Sequence, residues 1–257
     1  HNVTGVQTCA LPIYKMNIAV IFAGGIGSRM HSKALPKQFL QMHGKPIIAH
    51  TIDVFETSEE IDAIIIACVQ QWIEHLEKIV EKYNFKKIKK IVPGGITGQL
   101  SIYNGLRAAK EFAGSTKSIV LIHDGVRPLI TPITIHDNIE SVKTNGSAIT
   151  CVKAKETVLL INSDNGVIDV PNRESSRLAR APQSFWLDDI LCAHEVSLKE
   201  GRTSFIDSCS MMQYYGKSLY LVEGPESNIK VTTPEDFYIM RAMLDAKENA
   251  QIYGVKI

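Results

Sequence analysis

A chain of 257 residues and 28.5 kDa, 45% hydrophobic and 21% charged, is long enough to bury a full core as one domain. Its net charge of +1 excludes the broad positive field that holds a nucleic-acid backbone, and no apolar run reaches the length of a membrane span. Five scattered cysteines without a CxxC spacing argue against a disulfide framework or a zinc site and point to a reducing cytoplasm.

Residues 1–15, HNVTGVQTCALPIYK, lack the basic start and apolar core of a signal peptide. They read as a non-native extension, similar to translated adapter sequence, with Met16 as the expected start and 16–257 as a single domain. The run NIAVIFA (17–23) then predicts a buried strand ending at Gly24, Gly25 and Gly27, with Arg29 and Lys37 beyond. A helix is expected from GKPIIAHTIDVF, with Pro46 in its first position and Ile47, Ile48, Ile52 and Phe55 buried. DAIIIACV (62–69) is a second apolar strand, followed by a helix with Trp72, Leu76, Ile79, Val80 and Tyr83 on one face. The lysines of FKKIKK (85–90) read as a solvated edge. KIVPGG gives a third strand and SIYNGLRAAKEF a helix. SIVLIHD (118–124) gives a fourth strand, and Thr131-Pro132 opens another helix.

Continuous apolar strands alternating with amphipathic helices predict an α/β fold: a doubly wound, Rossmann-like, mostly parallel sheet. Residues 155–185 break the pattern, reading as two strands around NSDNG and then a polar stretch. Such a hairpin either folds back on its own domain or projects as an arm that pairs with a second subunit; the second is favoured, because an isolated hairpin is marginal in water. The chain ends in a helix opened by TTPED, with Thr233 as cap and Pro234 first.

Ligands of open parallel sheets sit beyond the strands' carboxyl ends, where this chain places AGGIGSR, PGGITGQLS, HDGVRP and NIKVTTPED. A dinucleotide fingerprint fails because Met30 stands where a third glycine or alanine is needed and ACVQQ offers no acid. An energy-transducing P-loop fails because Lys37 lies too far on and precedes Gln38. A loop whose backbone wraps a triphosphate remains, with Arg29 and Lys37 as candidate phosphate contacts, surface pairing being their alternative. Asp124 at a strand end suits a single-carboxylate Mg²⁺ site or a turn cap, since Gly125 follows. His123 reads as a packed histidine and Arg127 as a brace for Asp124.

AGGIGSRM…LPKQFL…GKPIIAHTI, GGITGQLSIYNGL, HDGVRP, RAPQSF and NIKVTTPED, in this order from about Asn17 to Ile257, together resemble the cytidylyltransferases that make CDP-alditols. That family includes the 2-C-methyl-D-erythritol 4-phosphate and ribitol 5-phosphate enzymes and has the nucleotide-diphospho-sugar transferase type of fold. The resemblance implies CTP and a small polyol phosphate as substrates, and no nucleic-acid or membrane partner. Arg29 and Lys37 then act at the point of attack, and Ala23, Gly24, Gly25, Gly27, Gly95 and Ser101 hold the nucleotide. It implies Mg²⁺ on Asp124, the polyol phosphate on Arg173, Lys230 and Thr157, and a homodimer through the arm at about 155–185, whose Arg173 serves the neighbouring site. The chain departs from the family at Gly98, where an arginine is common, and at Ala181 and Ile206, where threonine is usual. Residues near IDSCSMMQYYG and DAKENAQIYG favour the ribitol branch. The rival readings are the methylerythritol enzyme and a nucleotide-binding protein without turnover.

Overall fold

An apolar run with no polar face must be covered on both sides. That is the situation of β1 (Lys15–Ala23), which turns Ile18 and Val20 to one helical layer and Ala19, Ile21 and Ala23 to the other. The computed structural model of this protein describes residues 15–24 and 35–253. Gly25, Gly27, Arg29 and most of the N-terminal extension therefore lie outside the described residues.

After a single 3-10 turn at Lys37–Phe39, β2 (Gln41–Met42) and β3 (Lys45–Pro46) form a short antiparallel pair. Pro46 is extended and pairs with Gln41, so it flanks α1 (Ile47–Thr57) rather than opening it. β4 (Ala63–Cys68), α2 (Ile73–Tyr83), β5 (Ile88–Pro93), α3 (Gly98–Ala113), β6 (Lys117–Asp124), α4 (Pro132–Asn145) and β7 (Ser147–Lys153) complete the alternating part. Trp72 stands in a 3-10 turn ahead of α2 and packs on Phe39, with ring centroids 5.5 Å apart. α3 and α4 start at their threonine caps: Thr97 accepts from the Leu100 amide at 3.1 Å, and Thr131 from the Thr134 amide at 3.3 Å.

The hairpin expected around NSDNG is β8 (Leu160–Ile161) and β9 (Val167–Asp169). The stretch that follows is not an irregular part of the arm. It is β10 (Arg177–Trp186), a strand of the central sheet, so the end of segment 155–185 belongs to the body of the domain. α5 (Leu187–Lys199), α6 (Ser208–Tyr214), β11 (Leu221–Glu223) and α7 (Pro234–Tyr253) finish the chain. At the start of α7, Asp236 accepts from the Thr232 and Thr233 amides at 2.8 Å, and Thr233 accepts from the Asp236 amide at 3.4 Å.

The sheet runs β11-β7-β10-β6-β1-β4-β5, parallel throughout except for β10, which is antiparallel to both neighbours. α1, α2 and α4 cover one face with Ile52, Phe55, Leu76 and Ile139; α3, α5 and α6 cover the other with Leu106, Ile190 and Met211. A Cβ on Gly105 would come within 2.6 Å of Val20, so glycine lets α3 lie this close to β1. β5, with Lys89 and Lys90, is an edge strand, as the lysine run predicted.

Candidate active site

Three strand ends and two loops meet where β1, β5 and β6 stop. Gln38 donates to the Ala23 carbonyl at 3.0 Å, which ties the turn carrying Lys37 to the end of β1. Ser101, in the first turns of α3, accepts from the Gly95 amide at 3.0 Å and donates to the Thr97 carbonyl at 2.9 Å. Glycine is required around it. A Cβ on Gly24 would stand 2.7 Å from the Ser101 hydroxyl, and one on Gly95 would stand 2.3 Å from the Leu100 Cβ. Two backbone loops can therefore close on Ser101, and a cavity of about 250 Å³ opens there, lined among others by Ala23, Gly24, Lys37, Gly95 and Ser101.

Asp124 and Lys230 line this cavity and also a second one of about 310 Å³, which continues past Arg127, Arg180, Gln183 and Asp207. Asp124 is buried, with Lys230 Nζ 2.6 Å from Oδ1 and Arg127 Nε 2.7 Å from Oδ2. Burial pushes its carboxyl up, but the two cations outweigh that and hold it down at about 2, so it is ionised at neutral pH. Arg127 also donates to the Asn228 carbonyl at 2.9 Å, and the Val231 amide donates to the Val126 carbonyl at 3.0 Å. The segment carrying Lys230 is thus stitched to the end of β6. His123 is the packed histidine expected: burial lowers its pKa to about 4, and Nε2 lies 3.1 Å from the Arg127 carbonyl. An acceptor at that distance assigns the ring proton to Nε2.

With Arg127 on Oδ2, a divalent ion on Asp124 would have to take the place at Oδ1 that Lys230 Nζ holds. The ion would take further ligands from phosphate oxygens and water. Among the described residues one other metal-like group occurs, Glu60, His136 and Glu140; it is largely exposed and lines neither cavity.

Lys37, Ala23, Gly24, Gly95, Ser101, Asp124 and Lys230 are thus brought together. Within one chain Arg173 and Thr157 are not: Arg173 is exposed in a 3-10 turn, and Thr157 lines a separate cavity of about 270 Å³ at the base of the hairpin. Gln38, Arg180, Gln183, Asp207 and Asn228 were not foreseen. Asn228 and Gln183 lie inside NIK and RAPQSF, so the signal was present. Asn228 donates to the Ala181 carbonyl at 2.7 Å; Gln183 donates to Asp207 at 3.0 Å and accepts from the Cys209 amide at 2.7 Å.

A glycine-lined cavity at the carboxyl edge of a mostly parallel sheet, with cations and one ionised carboxylate in its lining, is the arrangement of a nucleotidyltransferase. Residues 17–246 match the family described as IspD, 2-C-methyl-D-erythritol 4-phosphate cytidylyltransferase. The chain belongs to this family of cytidylyltransferases. It is 52% identical to a ribitol-5-phosphate cytidylyltransferase of Streptococcus agalactiae serotype V, over 93% of this chain and all of that one. It is 49% identical to one of Vibrio parahaemolyticus over the same shares, and 41% identical to a 2-C-methyl-D-erythritol 4-phosphate cytidylyltransferase of Clostridium botulinum, over 89% and 97%. A crystal structure of 4-diphosphocytidyl-2C-methyl-D-erythritol synthase from Anaerococcus prevotii superposes with a TM-score of 0.78 at 30% identity, covering 90% of this chain and 96% of that one.

Proposed function

We propose that this chain transfers cytidylyl from CTP to D-ribitol 5-phosphate, releasing pyrophosphate and CDP-ribitol. The observation that carries the reading is the Asp124–Lys230 pair at the junction of two cavities, one glycine-walled for the nucleotide and one cationic for an anionic acceptor. The identities of 52% and 49% to ribitol-5-phosphate enzymes, against 41% to a methylerythritol enzyme, support the choice of acceptor.

A phosphate monoester is a nucleophile at neutral pH, so the reaction needs no general base. An acceptor phosphate oxygen attacks the α-phosphorus, and the bond to the departing pyrophosphate breaks. Lys37, held at the rim by Gln38, and Arg29 meet the charge that grows on the α-phosphate and pyrophosphate oxygens. Ser101 and the Gly24 and Gly95 loops hold the nucleoside end, together with Gly25 and Gly27. Asp124 would hold Mg²⁺, which when bound neutralises phosphate oxygens. Lys230 would then turn to the acceptor phosphate.

Arg173 acts from the arm of a second subunit in this reading, while Thr157 lines the cavity at the base of the arm in its own chain. The hairpin region exposes Leu159, Leu160, Ile161, Val167, Ile168 and Val170, each at 45–65%, a row of apolar side chains suited to pairing. Among the described residues no helix is long and apolar enough to cross a membrane, and Cys68, Cys151, Cys192 and Cys209 are free thiols. Both support work in the cytoplasm.

The test is pyrophosphate release with CTP, Mg²⁺ and a panel of alditol phosphates. Highest kcat/KM with D-ribitol 5-phosphate is expected. Preference for 2-C-methyl-D-erythritol 4-phosphate would move the enzyme to the other branch; CTP binding without pyrophosphate from any acceptor would show a binding protein.

A further inference from the structure

Arg180 stands where the two cavities on the acceptor side meet. It lies on β10 between Ala179 and Gln183, where the pairing with β7 slips out of register. Such an irregularity turns a side chain away from the ladder. Arg180 accordingly lines the 310 Å³ cavity with Asp124, Arg127 and Lys230, and also the 270 Å³ cavity with Thr157.

Among the described residues its charge has no matching anion. Arg127 and Lys230 share Asp124, whereas Glu226, the carboxylate whose charge acts on Arg180, is ion-paired with Lys155. Among the described residues no carboxylate is within ion-pair distance of Arg180, and its hydrogen bond to protein goes to the Glu226 carbonyl at 2.8 Å. The guanidinium is half-buried beside the like charge of Arg127, and both conditions weaken its hold on its proton. A partly desolvated cation next to another is costly unless an anion arrives. Arginine, with five donors in a fixed fork, leaves several for that anion after the one carbonyl is served.

We propose that Arg180 is a phosphate-binding residue for the acceptor: its guanidinium holds a non-attacking oxygen of the polyol phosphate, beside Lys230. The inference rests on the acceptor being a polyol phosphate. It goes further in placing the acceptor's charge on β10, at the wall shared with the arm-base cavity, so that the polyol tail runs toward Thr157 and away from the nucleotide.

The experiment compares wild type, Arg180→Leu, Arg180→Gln and Arg180→Lys by steady-state kinetics and by calorimetric titration of D-ribitol 5-phosphate and of free ribitol. Losing one charge-assisted hydrogen-bond partner should raise the KM for D-ribitol 5-phosphate about 10- to 100-fold in Leu and Gln, with the KM for CTP within about 3-fold and Lys in between. Calorimetric affinity for the phosphate should fall in parallel, and any weak binding of free ribitol should not change. An unchanged acceptor KM overturns the proposal. So does an equal rise in both KM values, or a lowered melting temperature that accounts for the loss, since Arg180 then only braces the segment leading to Lys230. Should wild type use no polyol phosphate at all, the proposed reaction fails, and titration of D-ribitol 5-phosphate into wild type and the Leu variant still decides whether Arg180 receives a phosphate.

Discussion

Lowering the pH from 7 toward 4 should cost this protein stability through His194. The side chain lies on α5, 1% exposed, with its ring stacked on Tyr103 of α3 at 5.8 Å between centroids. Neither ring nitrogen has a hydrogen-bond partner among the described residues, and burial lowers the pKa to about 4 from 6.5. The unfolded chain takes up a proton near 6.5 and the folded chain only near 4. The contribution is therefore whole above 6.5, is lost as the pH falls through this window, and levels off below 4. At 1.36 kcal/mol per pKa unit the gap amounts to roughly 3 kcal/mol, a large share of a typical total of about 5–15 kcal/mol. His123, lowered in the same direction by burial, adds to the slope independently. Urea unfolding of wild type and His194→Phe between pH 4 and 8 separates the two, because phenylalanine keeps the ring on Tyr103 and cannot titrate. The variant should lose less stability between 6.5 and 4, by about 3 kcal/mol. Parallel curves for the two proteins would refute the reasoning.

Lys37→Ala should lower kcat by about 10²–10³, by analogy with removal of one transition-state donor; wild-type turnover in steady-state assays would remove Lys37 from the reaction. Gly95→Ala brings a Cβ to 2.3 Å from the Leu100 Cβ and 2.9 Å from its carbonyl carbon, so the loop must shift. Overpacking of this kind costs about 1–3 kcal/mol, and the affinity for CTP measured by calorimetry should fall by about 10-fold or more. Gly98→Ala meets nothing within 4 Å in the first turn of α3, and should raise stability by about 0.4–1 kcal/mol, read as a higher Tm. Ile168→Asp, on the exposed hairpin, should shift sedimentation from dimer toward monomer while leaving the monomer folded; an unchanged dimer would place the subunit contact elsewhere.

Much of the body was legible because its strands are apolar on both faces: β1, β4 and β6 announce themselves, and Thr131-Pro132 marks a helix start without ambiguity. β10 was harder to see. Its sequence RLARAPQSFW has two arginines among its first four residues and carries Pro182, so nothing in its alternation distinguishes it from a loop; only its place between β6 and β7 makes it a strand. β2 and β3 are two residues each, too short for any period. The nucleotide side of the site was readable for a related reason. Glycine loops at strand ends and Asp124 after SIVLIH are local signals, whereas Arg180 acquires its meaning from a register slip and from Arg127, more than fifty residues earlier. Gln38 was hidden by a shorter separation, 15 residues, because its role is a hydrogen bond to the last carbonyl of β1.

The reversed direction of β10 has a geographical consequence. In a parallel sheet every strand enters from the end opposite the ligand, and any insertion ahead of a strand emerges on that far side. β10 pairs Gln183 with Ile122 and Trp186 with Ile119, so its first half overhangs the ligand end of β6. The hairpin that precedes it is consequently delivered to the mouth of the cleft. Turned the other way, a strand of eight residues like β6 would carry the hairpin's root about 26 Å off, at 3.3 Å per residue, out of reach of either cavity. One inverted strand decides at which end of the molecule the hairpin stands.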